Sequence, residues 1–200
     1  MGSIRRVHGF PPGFTPGRKE LYTIWMKSLI MHGYGCTVFG PHGDVVYRVD
    51  NYRNKGCAEV FLMDCHGKLL FTIIRRKFRV LGRWDGYRCC DSGGSSAGEF
   101  CFQVRRGWSL LLGGGRVSAE VFQKLGDARK SSYVLEGQID KSEFRVIDRE
   151  GIVVAEVKRK ESSSGVCLGE DVLALSMEAE ADPSLIAALV AVYGSICSRM

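Results

Sequence analysis

The chain has 200 residues, of which 45% are hydrophobic and 25% charged, and this composition excludes a disordered or fibrous protein. The formal net charge of +6 is uneven, because residues 1–90 hold 15 Lys and Arg against 6 Asp and Glu. A basic first half indicates a phosphate-bearing partner, either membrane headgroups or nucleic acid, although scattered surface cations explain the same count.

Residues 1–20 are predicted to be a flexible leader, since they hold three of the five prolines. They contain no apolar stretch of the kind found in a secretory signal peptide. The eight cysteines form no Cys-x-x-Cys motif, so we expect reduced thiols, no metal and no cofactor. These features favour a cytoplasmic protein that is peripheral to a membrane or nuclear.

From residue 21 onwards the sequence predicts strands joined as hairpins, in a single domain spanning 21–200. An apolar strand, a turn with Asp and Gly, and a second apolar strand follow one another at 36–49, 60–73 and 144–157. Side chains alternate in the third unit, where Val153 and Ala155 share one face and Glu156 takes the other. We interpret the Asp and Gly residues as turn formers, not as a site.

The last nineteen residues predict an apolar helix. Asp182 suits the N-cap and Pro183 the first helical position. No polar stripe follows, and burying its six large side chains is worth about 9–18 kcal/mol gross at roughly 1.5–3 kcal/mol each. These side chains are Leu185, Ile186, Leu189, Val190, Val192 and Ile196. A membrane span takes about 20 apolar residues, and Gly194 and Ser195 interrupt this run, so we expect a helix inside the protein.

A closed sheet is the natural container for such a helix. Further strands are predicted near 22–30, 83–88, 99–105, 117–123, 133–139 and 171–177, which brings the total to about twelve. The sequence therefore predicts a mainly β fold, a barrel of about twelve strands that encloses the hydrophobic C-terminal helix. A β-sandwich with the helix packed on one side is the alternative.

Six segments carry a resemblance to a known family. They are 25–29 (WMKSL), 35–39 (GCTVF), 46–52 (VYRVDNY), 59–64 (EVFLMD), 67–73 (GKLLFTI) and 82–87 (GRWDGY). In these residues the chain closely resembles the plant LURP-one-related (LOR) family, most specifically over 20–90. The resemblance implies a tubby-like fold, in which a twelve-stranded barrel surrounds a C-terminal helix.

The resemblance implies less about activity, because the family has no established catalytic motif. It relates the chain to phospholipid scramblases and to tubby-like membrane-tethered transcription regulators, and the family's namesake is linked to plant defence. We expect a non-enzymatic, monomeric protein that binds acidic phospholipids with phosphoinositide-like headgroups. The alternative is a scramblase-like lipid-handling protein or an enzyme with an unrecognised site.

The strongest binding candidates are basic residues around one predicted hairpin: Arg75, Arg76, Lys77, Arg79, Arg83 and Arg88. Clustered guanidinium and ammonium groups near an aromatic ring can hold phosphates. Alternation would separate Arg75 and Lys77 from Arg76, so a solvated strand end is the competing interpretation. The runs Arg105–Arg106 and Lys158–Lys160 are weaker versions. No DNA-binding motif accompanies these charges, so direct contact with nucleic acid is not predicted.

Two short motifs have simpler explanations. Residues 94–98 match the Gly-x-Ser-x-Gly pattern of hydrolases at Ser96, but every histidine lies upstream, and we interpret the match as chance. The C-terminal tripeptide Ser198-Arg199-Met200 is similar to a peroxisomal signal, with the tail of the helix as the alternative.

Overall fold

The computed structural model of the protein describes residues 19–27, 34–54, 57–78, 81–89, 98–106, 116–125, 128–138 and 143–197. The strands are β1 (Glu20–Trp25), β2 (Tyr34–Phe39), β3 (Val45–Asn54), β4 (Cys57–Asp64), β5 (Leu69–Phe78), β6 (Leu81–Arg88), β7 (Glu99–Arg106), β8 (Arg116–Leu125), β9 (Ala128–Gln138), β10 (Glu143–Ile147), β11 (Val153–Arg159) and β12 (Val172–Met177). One helix follows, α1 (Pro183–Ile196).

The strands form one closed barrel in which each strand pairs with its neighbour in sequence and β1 returns to β12. All of these pairings are antiparallel, and the closing pair runs from Glu20↔Met177 to Trp25↔Val172. The predicted barrel is confirmed, and the sandwich alternative is wrong, because closure leaves every named strand with two partners.

The first strand is shorter at its end than the predicted 22–30. It stops at Trp25, whose indole Nε1 donates to Asp171 Oδ2 at 3.2 Å. The backbone N–H of Met26 also bonds to the carbonyl of Asp171, and Lys27 forms an ion pair with its carboxylate. These contacts hold the end of β1 beside the residue that precedes β12. Of the predicted leader, residues 1–18 lie outside the described residues.

The predicted hairpins turn as their sequences indicate. Gly43, Gly67 and Gly151 have φ of 84°, 82° and 83°, a conformation that favours glycine. In the second turn Asp64 Oδ1 accepts the N–H groups of His66 and Lys68, each at 2.9 Å. These hydrogen bonds satisfy backbone donors in the turn, as expected of Asp at this position.

The helix fills the barrel. Asp182 Oδ1 accepts the N–H groups of Ser184 and Leu185 at 3.0 and 3.2 Å, so Asp182 is the N-cap. The six large side chains Leu185, Ile186, Leu189, Val190, Val192 and Ile196 are all buried, with at most 7% exposure. Among the described residues, no helix is long and apolar enough to cross a membrane.

The barrel has two distinct ends. At the N-cap end, β12 leads into the helix, β6 finishes at Arg88 and β5 starts at Leu69. At the C-cap end, β5 finishes at Phe78, β6 starts at Leu81, and the connection 160–171 joins β11 to β12. Because successive strands are antiparallel, charged residues distant in sequence meet at one end.

Candidate functional site

Towards the C-cap end, three of the predicted cations lie on β5, Arg75, Arg76 and Lys77, and one lies on β6, Arg83. Arg75 is paired with Trp84, and Arg76 is paired with Arg83. The Arg75 guanidinium carbon lies 5.5 Å from the centroid of the Trp84 ring, which itself belongs to the buried core. Arg76 is on the opposite face of the strand, as alternation requires.

The outer face of the barrel carries a buried carboxylate at this place. Asp85 is only 3% exposed, and its Oδ2 lies 2.8 Å from Arg83 Nη2 and 3.7 Å from Arg76 Nε. Its Oδ1 accepts a hydrogen bond from Gln103 Nε2 at 2.7 Å. Both oxygens of Asp85 are therefore engaged, and its charge holds two guanidinium groups near each other.

Gln103 extends this arrangement to the next strand. Its side chain is fully buried, and its Oε1 accepts a hydrogen bond from Arg105 Nε at 2.6 Å. The Arg105 guanidinium also lies over the ring of Phe122, 5.1 Å from its centroid. Asp85 and Gln103 thus organise three arginines, Arg76, Arg83 and Arg105, which we name the arginine cluster.

The arginine cluster has more donors than its two acceptor side chains can satisfy. Each guanidinium presents a planar fork of N–H groups, whereas Asp85 and Gln103 together supply only three side-chain oxygens. The Arg83 Nε is itself buried without a hydrogen-bond partner. The guanidinium groups of Arg76 and Arg83 both lie within 3.7 Å of the single Asp85 carboxylate. Such an arrangement can bind a phosphate group through charge-assisted hydrogen bonds.

The other predicted binding residues are Lys77, Arg79 and Arg88, and none of them is seen in the arginine cluster. The side chain of Lys77 and the whole of Arg79 lie outside the described residues. Arg88 lies at the N-cap end, away from the arginine cluster, because it is the last residue of β6 whereas Arg83 is near its start. Five residues of strand separate the two by about 17 Å.

Arg88 holds the helix in place. Its Nη2 lies 2.6 Å from Asp182 Oδ2, and its Nη1 is 3.5 Å from Ser184 Oγ. Burial raises the pKa of Asp182, but the hydrogen bond from Ser184 and the charge of Arg88 outweigh it, so that this pKa lies below its ordinary value. The guanidinium also stacks 4.5 Å from the Phe71 ring centroid. These contacts give Arg88 a structural role.

Sequence reasoning missed Asp85 and Gln103 as members of the candidate site. Both stand between residues that point into the barrel: Gln103 lies between Phe102 and Val104, and Asp85 follows Trp84. Alternation along the strands predicts that both side chains are on the outer face of the barrel. Polar residues are expected on an outer face, so their residue type alone does not mark them as unusual. Their burial depends on neighbouring strands and has no local signal.

A separate cavity of about 510 Å³ opens beside β8–β11. Its charged lining includes Arg145 and Lys158, which both bind Glu156 at 2.9 Å and lower the pKa of that carboxyl, Lys158 most strongly. Because three carboxylates, those of Glu136, Glu143 and Glu156, also line it, the cavity is a weaker candidate for an anion than the arginine cluster. Lys158 belongs to one of the weaker basic runs considered from the sequence.

Two sequence motifs suggested an enzyme and an organelle signal. Ser96 and the tripeptide Ser198–Met200 are outside the described residues. In the part of the chain that the structure describes, no three His, Cys, Asp or Glu side chains gather as they would around a metal ion.

The sequence of the chain is similar to those of known plant proteins. The sequence model of the LURP-one-related family matches residues 20–194. The chain is 37% identical to protein LURP-one-related 11 of Arabidopsis thaliana over 181 residues, covering 89% of this chain and 78% of that protein. It is 39% identical to protein LURP-one-related 4 of the same plant over 179 residues, covering 89% and 79%.

The fold has a solved counterpart. An X-ray structure of a protein from Arabidopsis thaliana superimposes with a TM-score of 0.61, covering 93% of this chain and 96% of that one at 16% identity. At that identity the likeness concerns the tubby-like fold alone. The family match over nearly the whole barrel and helix identifies the chain: it belongs to the LURP-one-related family.

Proposed function

We propose that this protein binds the phosphate headgroups of acidic membrane lipids, phosphoinositide-like ones included, through the arginine cluster. The observation that carries the proposal is the convergence of Arg76, Arg83 and Arg105 on the buried Asp85–Gln103 pair. LURP-one-related proteins are not a known enzyme family, and the proposed role is binding without catalysis.

Preorganisation is the main physical support for this role. Long arginine side chains lose rotamer entropy when they bind, and that loss is smaller where a side chain is already held. Arg83 is held by Asp85, Arg105 by Gln103 and Phe122. A bidentate phosphate contact from such forks is stronger than one from freely moving lysines.

The proposed cellular setting is supported only by the family resemblance. We propose that lipid binding tethers the protein to the cytoplasmic side of a membrane during plant defence, as the resemblance to tubby-like regulators implies. A scramblase-like role has less support, because the apolar helix Pro183–Ile196 is enclosed by strands and would have to leave the barrel to enter lipid.

The test is flotation with acidic liposomes at low salt. The variant R76Q/R83Q/R105Q removes three charges at the cluster, and at about 1 kcal/mol per cation near an acidic surface we expect roughly 100-fold weaker partitioning. The matched control K19Q/K68Q/R149Q removes three exposed charges from the N-cap end and is expected to lose far less.

R76Q/R83Q/R105Q leaves the Asp85 carboxylate without its arginine partners and can unfold the protein, so a second variant is needed. R76K/R83K/R105K keeps the charge but replaces planar forks with point charges, so binding should weaken selectively for phosphomonoester headgroups. Wild type that ignores acidic liposomes would refute the proposal. If R76Q/R83Q/R105Q and K19Q/K68Q/R149Q lost liposome binding equally, binding would depend on net charge and not on the arginine cluster.

A further inference from the structure

Arg105 differs from the other members of the arginine cluster in how it is held. Its Nε donates to Gln103 Oε1 at 2.6 Å, and its guanidinium carbon lies 5.1 Å from the centroid of the Phe122 ring. Gln103 is fully buried and is itself fixed, because its Nε2 donates to Asp85 Oδ1 at 2.7 Å. The Arg105 guanidinium is therefore held through Nε and by the aromatic ring, and not by a carboxylate.

The end of the Arg105 guanidinium stays open to a ligand. Arg105 is exposed, and among the described residues none accepts a hydrogen bond from its Nη1 or Nη2. These two nitrogens form a fork that matches two oxygens of one phosphate group. Arg83, in contrast, uses its Nη2 on Asp85 and has its Nε buried, so its Nη1 is the nitrogen that remains unused.

The acidic neighbour of Arg105 does not occupy this fork. Glu120 lies directly opposite Arg105 on β8, yet these two side chains form no ion pair. The guanidinium leans instead towards Gln103 and Phe122, which are paired with each other two residues further along the strands. The contacts that hold Arg105 therefore also direct its fork away from Glu120.

We infer that the arginine cluster takes a phosphomonoester group, which Arg105 contacts through its fork and Arg83 through one further hydrogen bond. This inference rests on the proposed function, because it concerns the same site. Arg83 and Arg105 are paired on β6 and β7, where opposite Cβ atoms are about 5 Å apart. Their three unused nitrogens match the three terminal oxygens of a phosphomonoester, whereas a phosphodiester has only two such oxygens. Gln103 is a positioning residue here, because it acts through Arg105.

The experiment compares vesicles containing phosphatidic acid, a phosphomonoester lipid, with vesicles of equal surface charge containing phosphatidylglycerol, a phosphodiester lipid. Flotation of wild type should be about tenfold stronger with phosphatidic acid, because one further charge-assisted hydrogen bond is worth at least that factor. R105K keeps the charge but removes the fork, so it should lose most of this preference and still bind both vesicles. The control R145K changes an exposed arginine on another wall and should keep the preference of wild type.

A second pair of variants tests the positioning role of Gln103. Q103M keeps the length of the buried side chain but removes both of its hydrogen bonds, so it should lower the preference for phosphatidic acid. Q103M/R105K should show no smaller preference than R105K alone, because both changes act on the same fork. If Q103M weakened binding to both vesicles equally, its effect would be a general loss of structure and the positioning role would be overturned.

The outcomes separate this inference from the proposed function. If wild type floats equally well with both vesicles, or R105K keeps the full preference, the inference is overturned and acidic-lipid binding by the arginine cluster stands. Calorimetry with soluble glycerol phosphate distinguishes the source of the phosphate group. If glycerol phosphate binds wild type more tightly than R105K while neither vesicle binds, the phosphomonoester contact stands and the membrane role fails. If neither the vesicles nor glycerol phosphate binds, both fail.

Discussion

Residues of one type do different work at the two ends of this barrel. Arg83 and Arg88 are both on β6, yet the first joins a charged cluster on the outer wall and the second bonds to the N-cap of the enclosed helix. The difference comes from their partners, Asp85 and Asp182. A guanidinium with five donors takes its role from the acceptors within its reach.

Replacing Arg88 with Gln should lower the free energy of unfolding by about 1–2 kcal/mol at neutral pH, a value reduced because the pair is partly exposed. Because the pKa of Asp182 is lowered in the folded state, the contribution of its carboxylate is present above the unfolded pKa of about 3.9 and is lost as pH falls through the lower folded value. The difference between the two proteins should therefore begin to shrink below about pH 4 and vanish only once the pH is below the folded pKa of Asp182.

Urea unfolding across that pH range measures this effect. Arg145→Gln is the control, since Arg145 is an exposed partner of Glu156 on another wall and should change stability by less than about 0.5 kcal/mol. A constant difference between wild type and R88Q down to strong acid would contradict the assignment of the effect to the Arg88–Asp182 pair.

Among the elements, the helix contributes most to the core. Its C-terminal part packs on β9 and β10: the Tyr193 ring stacks on Phe144 with centroids 4.0 Å apart. The Tyr193 hydroxyl donates to the carbonyl of Glu143 at 3.4 Å. A Cβ at Gly137 would lie 2.3 Å from that hydroxyl and from that carbonyl oxygen, so glycine is needed here for the close approach of helix and sheet.

Leu189→Ala tests how closely the barrel fits the helix. Leu189 is fully buried, and its truncation should cost about 2–5 kcal/mol through lost burial and the cavity left behind. Leu21→Ala removes the same atoms from an exposed position and should cost less than about 0.5 kcal/mol. Denaturant unfolding measures both, and equal costs would show that the helix does not pack as described.

For the whole molecule, closure links the two halves of the chain. The pairing of β1 with β12 joins the first described strand to the last one before the helix. The inward-facing side chains of the strands and the helix then form one hydrophobic core cluster. We therefore expect barrel and helix to unfold together as one cooperative unit.

Deletion of residues 183–200 should abolish that cooperative transition, since the inner faces of the strands would lose their apolar partner. Calorimetry and near-UV circular dichroism measure it. Deletion of residues 1–18, which tests the predicted leader, should preserve the transition. If the protein without residues 183–200 were soluble and unfolded cooperatively, the barrel would not need the helix to complete its hydrophobic core.

The hairpins and the helix were predictable because their signals are local. Asp64 and Gly67 are residue types that favour a turn, and the structure has a turn there. Asp182 and Pro183 predict a helix start, and the helix begins at Pro183 with Asp182 as its N-cap. The strand β1 ends earlier than predicted, and the residues at its end, Trp25 and Met26, bond to Asp171, almost 150 positions away in the chain. The binding role of the predicted cations stays a prediction.

The sequence by itself determined the strands, the turns, the apolar helix and the resemblance to a family, because periodicity and turn chemistry depend on neighbours in the chain. Only the tertiary structure decided which charges meet. It placed Asp85 and Gln103 beneath three arginines, moved Arg88 to the helix N-cap and exposed Val166 and Leu168 at the other end. The physical reason is that a charge acts through space, and the separations that matter are set by barrel closure and strand register.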